Sequence, residues 1–218
     1  MELRDYIAIR RAYNLVRQTY PRRSRMTFAE FAILCHMYLF DGSLNTTEIA
    51  KYQNVLRPTM THRTKHLSGL GLIERTRGDN DHRHILCSVT DEGRAFVQDI
   101  CEQVCAILRQ GDALRRIEWE RACRYIEAMG SLDLKASDLV LLGIMGSEEG
   151  TTVSSLVDAL GLLQPTVSMS VSALMNAGMI DRGRDGARRL ATVSLTQKGR
   201  STGEELCQGI DELLVRRK

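Results

Sequence analysis

Between Arg57 and Lys65 the chain places Arg57, Thr59, Thr61, His62, Arg63 and Lys65 around a proline at position 58. Guanidinium, ammonium, imidazole and hydroxyl groups gathered on one short segment can do two kinds of chemistry. Arg57, Thr59, Thr61 and His62 can reach the edges of bases, whereas Arg63 and Lys65, with Arg75 and Arg77 further on, suit phosphates. Arg75 and Arg77 follow, then the charged run Gly78-Asp79-Asn80-Asp81-His82-Arg83-His84. An arginine at the tip of such a ribbon, here Arg83, has the reach to enter a minor groove. Taken alone, Lys65 and His66 read as a solvated helix face. Their placement behind a turn and ahead of a charged ribbon is what points to nucleic acid.

The device occurs twice. Pro58-Thr59-Met60-Thr61 matches Pro165-Thr166-Val167-Ser168 at an offset of 107, and Leu67, Gly71, Ile73 and Arg75 match Leu174, Gly178, Ile180 and Arg182 at the same offset. Thr90 to Arg94 matches Thr196 to Arg200 at 106, and Glu30 to Leu34 matches Asp138 to Leu142 at 108. Identities kept within elements and length changes kept in turns are what a duplication leaves. The expected partition is therefore residues 1–110, with a helix-turn-helix and wing over about 27–92, and residues 111–218, with the equivalent over about 135–198. The second copy retains Gln164, Thr166 and Ser168 on its helix and Arg184, Arg188 and Arg189 along its ribbon, but its helix has lost the cations. Residues 1–109 hold 16 Lys and Arg against 12 Asp and Glu, whereas residues 110–218 hold 14 against 15, so the basic surface belongs to the first copy.

The elements that must position these groups are mostly helical, since apolar residues recur at spacings of three and four and prolines are scarce. A first helix runs over about Leu3 to Thr19. Thr27 with Glu30, and Asn45 with Glu48, have capping-box spacing for the next two helices. Pro58 is expected to open the helix that follows at its first position, where a missing N–H costs nothing. Met60, Thr64 and Leu67 share one face of it, which turns Pro58, His62 and Lys65 outward. After Gly71, Leu72–Arg75 and Leu86–Val89 read as two short strands, and Thr90 caps a long helix. Helix, helix, turn, helix, ribbon, helix is the order of a winged helix-turn-helix. The fold class expected is mainly α with small β-wings: two such repeats joined by long helices of the dimerisation type.

At these residues the chain resembles the multiple-antibiotic-resistance regulator (MarR) family. The resemblance rests on Leu44-Asn45-Thr46-Thr47-Glu48-Ile49-Ala50, Pro58-Thr59-Met60-Thr61-His62, Gly71-Leu72-Ile73-Glu74-Arg75, Asp81-His82-Arg83 and Ser88-Val89-Thr90-Asp91-Glu92-Gly93. It covers about residues 27–100 well and the second copy more loosely. It implies a bacterial transcriptional regulator with terminal helices forming a dimerisation layer, winged heads in successive major grooves of a pseudo-palindromic operator, and Asp81 pairing with Arg83 to steady the wing. It also implies a small aromatic effector in a cleft, for which Tyr13, Tyr38 and Trp119 are the candidate liners beside a plain core role. The arginine that commonly follows the family's S/T-V-T run is His62 here and Met169 in the second copy, and Ala187 falls where the second wing would carry its aspartate.

Two heads in one chain make a monomeric pseudo-dimer for double-stranded DNA with an asymmetric site, unless two chains pair as a homodimer. The competing class is a protein-interaction scaffold in which the second copy, or both, has given up DNA. No phosphate loop, nucleophile elbow or paired carboxylates point to an enzyme, and no cofactor is indicated. His62, His66, His82, His84 and Cys87 lack strong metal-ligand spacing, so no metal is expected. A charged N-terminus without an apolar run points to the cytoplasm. There the six cysteines are expected as reduced, buried fillers, although Cys101 and Cys105 share a helical face.

Overall fold

The computed structural model describes residues 1–77, 85–147, 151–184 and 191–215. Its contacts gather into two compact units, one built from Val16–Asp133 and the other from Met1–Leu15 with Leu134–Leu213. The first helix, α1 (Leu3–Thr19), contributes residues to both.

In the Val16–Asp133 unit a single 3₁₀ turn, Arg22–Ser24, leads into α2 (Phe28–Phe40), β1 (Leu44–Asn45), α3 (Thr46–Tyr52), α4 (Arg57–Gly69), β2 (Ile73–Arg77), β3 (Ile85–Val89), α5 (Asp91–Leu108) and α6 (Trp119–Gly130). Both capping boxes expected from the sequence form. Thr27 accepts from the Glu30 N–H while the Glu30 carboxylate takes the Thr27 N–H, and Asn45 and Glu48 do the same for α3. Helix α2 buries Phe31, Ala32, Ile33, Leu34 and Cys35 without exposure, so it is enclosed on all sides rather than on one face. Strands β2 and β3 pair antiparallel from Ile73↔Val89 to Arg77↔Ile85. The sequence reading did not foresee β1, which adds a third strand on β3 through Leu44↔Cys87 and Asn45↔Leu86. Two residues show no period, so only the pairing reveals it.

The same order recurs in the other unit as α7 (Ala136–Met145), α8 (Val153–Leu160), α9 (Gln164–Asn176), β4 (Ile180–Arg184), β5 (Ala191–Leu195) and α10 (Gln197–Asp211). Its core joins Val140, Leu141, Ile144, Leu156, Leu160, Val167, Val171, Leu174, Ile180 and Val193. A bridge between Thr151 and Val193, with the Val193 N–H donating to the Thr151 carbonyl at 2.8 Å, takes the place that β1 fills in the other unit.

The start of α1 closes this second core. Arg11 Nε donates to the Asp158 carbonyl at 2.8 Å and Asn14 Nδ2 to the Leu160 carbonyl at 2.9 Å. Both acceptors lie in the last turn of α8, where backbone carbonyls have no partner inside the helix. Gly161, at φ +60°, lets the chain turn away there, and a Cβ on it would stand 2.8 Å from the Arg11 carbonyl. The expected division near residue 110 does not coincide with the units in space: these bonds take the start of α1 to the second core, and α6, given by that division to the second copy, packs on α2 and α5.

The Thr-x-x-Gly motif is explained by backbone contact. Thr90 caps α5 by accepting from the Gly93 N–H, and its own hydroxyl donates to the Gly71 carbonyl at 2.7 Å. A Cβ on Gly93 would lie 2.1 Å from the Leu72 carbonyl oxygen, and one on Gly199 would lie 1.9 Å from that of Met179. Helix and ribbon meet main chain to main chain at both places. Gly93→Ala and Gly199→Ala should therefore each lower stability by about 1–3 kcal/mol through forced overpacking, read as the loss in denaturant midpoint. Gly69→Ala, where nothing beyond the backbone of its own helix lies within 4 Å of the added carbon, should not.

Candidate nucleic-acid interface

Helix α3 ends at Gln53, Asn54 takes a left-handed conformation at φ 51°, and the Val55 N–H returns to the Ala50 carbonyl, which aims the chain into α4. Arg57 is the first residue of α4 and Pro58 the second, one place later than expected; the proline still sits in the first turn, where no N–H has a partner inside the helix. Met60, Thr64 and Leu67 are buried without exposure. Thr64 fits there because its hydroxyl donates to the Met60 carbonyl at 3.0 Å.

With that stripe inward, Arg57, Pro58, Thr59, His62 and Lys65 are exposed. Thr61 is half-buried, and its hydroxyl donates back to the Arg57 carbonyl at 3.0 Å. Arg63 differs from its expected role as a phosphate contact. Its Nη1 donates to Gln53 Oε1 at 2.6 Å and its Nη2 to Asp133 Oδ1 at 2.9 Å, with only 15% of the side chain exposed. His66 is likewise held inward, with Nδ1 2.8 Å from Oε1 of Glu30, the carboxylate that also completes the cap of α2.

On the ribbon, Arg77 is exposed, but Arg75 lies against Cys87, its pairing partner on β3. Its Nε and Nη2 are buried without a hydrogen-bond partner. Burial raises the Cys87 thiol pKa, and the neighbouring guanidinium opposes that rise. A phosphate role for Arg75 therefore lacks an open path. Asp81 and Arg83 lie outside the described residues.

Sequence reasoning passed over Arg22, Arg23 and Arg25. The 3₁₀ turn brings Arg23 and Arg25 to an open groove of about 640 Å³ whose other wall carries His62, Lys65 and His66. Arg25 is committed to the Tyr20 and Gln18 carbonyls at 2.8 and 2.9 Å, while Arg22 and Arg23 are exposed. The cluster of arginines after Pro21 was the available signal, but its nearness to α4 is a tertiary fact.

In the other unit α9 keeps the same seating through Val167, Val171 and Leu174, and Ser170 is buried with them. Gln164 and Pro165 are exposed, and Thr166 and Ser168 are half-buried. Met169, at the position equivalent to His62, is 74% exposed. Arg182 is exposed on β4, Arg184 ends that strand, and Arg188 and Arg189 lie outside the described residues.

The three cleft residues do not fall in one unit. Tyr13 is buried in the unit holding Met1–Leu15, while Tyr38 and Trp119 belong to the other, where their rings meet edge to face at 6.2 Å and the Arg94 guanidinium lies 5.8 Å from the Tyr38 ring centre.

Two family models match, one in each unit. Residues 17–100 match the model described as transcriptional regulator SarA/Rot, and residues 144–182 match that of the bacterial regulatory protein arsR family. These are helix-turn-helix domains of transcriptional regulators. The curated relative FarR of Neisseria gonorrhoeae, an HTH-type transcriptional regulator, is 31% identical over 64 residues, 29% of this chain and 44% of FarR. The match thus spans less than half of that relative. Among solved structures, YusO from Bacillus subtilis aligns with 27% identity over 48% of this chain and 70% of its own, at a TM-score of 0.40. BpsR of Bordetella bronchiseptica, whose DNA binding is regulated by 6-hydroxynicotinic acid, aligns with 24% identity over 47% and 72%, at 0.38. No helix among the described residues is long and apolar enough to cross a membrane.

The placement of two cations separates folding from binding. Arg63→Ala should lower the melting midpoint by an amount equivalent to about 1–3 kcal/mol, because it strips charged hydrogen bonds from Gln53 and Asp133. Lys65→Ala should stay within about 0.5 kcal/mol of the parent. Equal melting curves for the two variants would contradict the assigned contacts.

Proposed function

We propose that this chain is a DNA-binding transcriptional regulator with two winged helix-turn-helix heads in one polypeptide, the first of them the stronger. The observation that carries the reading is a contrast on a common scaffold. Helices α4 and α9 are seated by equivalent buried residues, yet α4 turns Arg57, His62 and Lys65 outward where α9 turns out Gln164, Met169 and Ser172. A cationic helix at the major groove gains affinity by releasing counterions, and an uncharged one gains little.

In this reading Thr59, Thr61 and His62 face base edges, and Arg57, Lys65, Arg77 and Arg23 face phosphates. Arg83 is assigned to the minor groove beside a wing steadied by Asp81. The second head adds weaker contact through Gln164, Thr166, Ser168, Arg184, Arg188 and Arg189. Two unlike heads in one chain act as a pseudo-dimer on an asymmetric operator. Tyr38 and Trp119 are the better half of the proposed aromatic-effector cleft, since their rings pack in one unit. The MarR-type resemblance supports the bacterial cytoplasm as the compartment of such a regulator.

One observation favours a second reading for the later copy. Met169, at 74% exposure, puts an apolar side chain where α4 carries His62, which suits a protein partner.

Selection of bound fragments from random duplex DNA tests the proposal. The expected site has one strongly preferred half and a weaker, different one, and log affinity falls steeply with log salt. Lys65→Ala should weaken binding to every sequence and reduce the salt slope by about 1. His62→Ala should relax preference at one position by about 1–3 kcal/mol. Two identical half-sites would replace the pseudo-dimer with paired chains, and unchanged binding by both variants would remove α4 from the interface.

A further inference from the structure

Three helices of the Val16–Asp133 unit meet at sulfur. Cys35 comes from α2, Cys101 from α5 and Cys123 from α6. Their Sγ atoms all lie within 4.8 Å of one another, and all three residues are 0% exposed. All are free thiols.

Filling space explains one buried cysteine, since a thiol behaves as a small hydrophobe. It does not explain why three side chains from three different helices turn their sulfurs to a common point. Sulfurs bound to one ion at about 2.3 Å stand about 4 Å apart in a trigonal plane and about 3.5 Å apart in the pyramid that a trivalent centre with a lone pair adopts, both inside the observed limit. A disulfide would require one pair to close to about 2.05 Å and would leave the third sulfur without a role.

We propose that Cys35, Cys101 and Cys123 form a buried three-sulfur site for a soft, three-coordinate thiophilic ion. Thiolate ligands select soft ions over oxygen-seeking ones such as magnesium or calcium. Charge then ranks the soft ions. Three thiolates leave a net charge of minus two around a monovalent ion and minus one around a divalent ion, whereas a trivalent centre leaves none. Uncompensated charge in a dry core is costly. The trivalent case also balances simply: with a trihydroxide of the arsenite type, three S–H and three As–O bonds break, three As–S bonds form, and three waters leave with the thiol protons. No oxidant or reductant is involved. The site lies on α2 and the two helices packed against it rather than on α4, so it stands independently of the DNA reading.

The test titrates the whole reduced chain, without DNA, with arsenite, with buffered cuprous ion and with zinc in separate arms. The expected result is one ion per chain, sulfur-to-ion charge-transfer absorbance, and three fewer thiols titratable after denaturation in the ion's presence. The arsenite arm should be the tightest. Cys35→Ala, Cys101→Ala and Cys123→Ala should each weaken binding at least tenfold, while Cys105→Ala and Cys207→Ala bind as the parent does. Circular dichroism melts confirm that each variant is folded, and the ion should raise the parent's midpoint and not theirs. Failure of all three ions to bind, or equal binding by the folded triple variant, would overturn the site. Zinc as the tightest ion, with a fourth protein ligand, would overturn its three-coordinate character.

Discussion

The DNA-binding face proposed for the Val16–Asp133 unit depends on how α4 is seated. Met60, Thr64 and Leu67 recur at intervals of four and three, so they form one stripe on a helix of 3.6 residues per turn, and that stripe has no exposure at all. Rotating the helix by one residue would bring Thr61 or Arg63 into the core and leave a charge or hydroxyl without its partner. The polar member of the stripe is accommodated because its hydroxyl returns to the backbone. With the inward side held in this way, the outward direction of Pro58, His62 and Lys65 is determined. Helix α9 obeys the same constraint with valine where α4 has threonine. The two helices are thus mechanically alike, and what differs between them is the charge they display.

Charge on a binding surface is useful only where the fold leaves it unspent. In the Val16–Asp133 unit the fold draws Arg63 toward Gln53 and Asp133, His66 toward Glu30, and Arg75 toward Cys87. These groups hold α4 and the ribbon to their neighbours. Meanwhile a short turn from a distant part of the chain brings Arg23 to the same groove as Lys65. The electrostatic surface is therefore not the one a count of cations along α4 suggests. It is smaller on the helix and extended beside it.

Much of the architecture was legible because its causes are local. Capping boxes at Thr27 and Asn45 need only residues three apart, Pro58 needs only the geometry of a first turn, and the inward stripe of α4 needs only its period. The strands β2 and β3 were legible from β-branched and apolar runs on either side of a charged loop. Strand β1 was not, because a two-residue strand exists only through its partners. The motif around Gly93 was readable as a motif, but its cause, a carbonyl that leaves no room for a Cβ, requires coordinates.

By itself, then, the sequence determined the kinds of element, their order, their repetition and the face each helix turns inward, since these follow from backbone stereochemistry and short-range periodicity. Tertiary structure alone decided which cations remain exposed, that the start of α1 completes the core built on Leu134–Leu213, and that Cys35, Cys101 and Cys123 meet at one point. The reason is the same in each case: these outcomes depend on groups 10 to nearly 150 residues apart along the chain, and hydrogen bonding, desolvation and thiol packing act through distance in space, which no local pattern records.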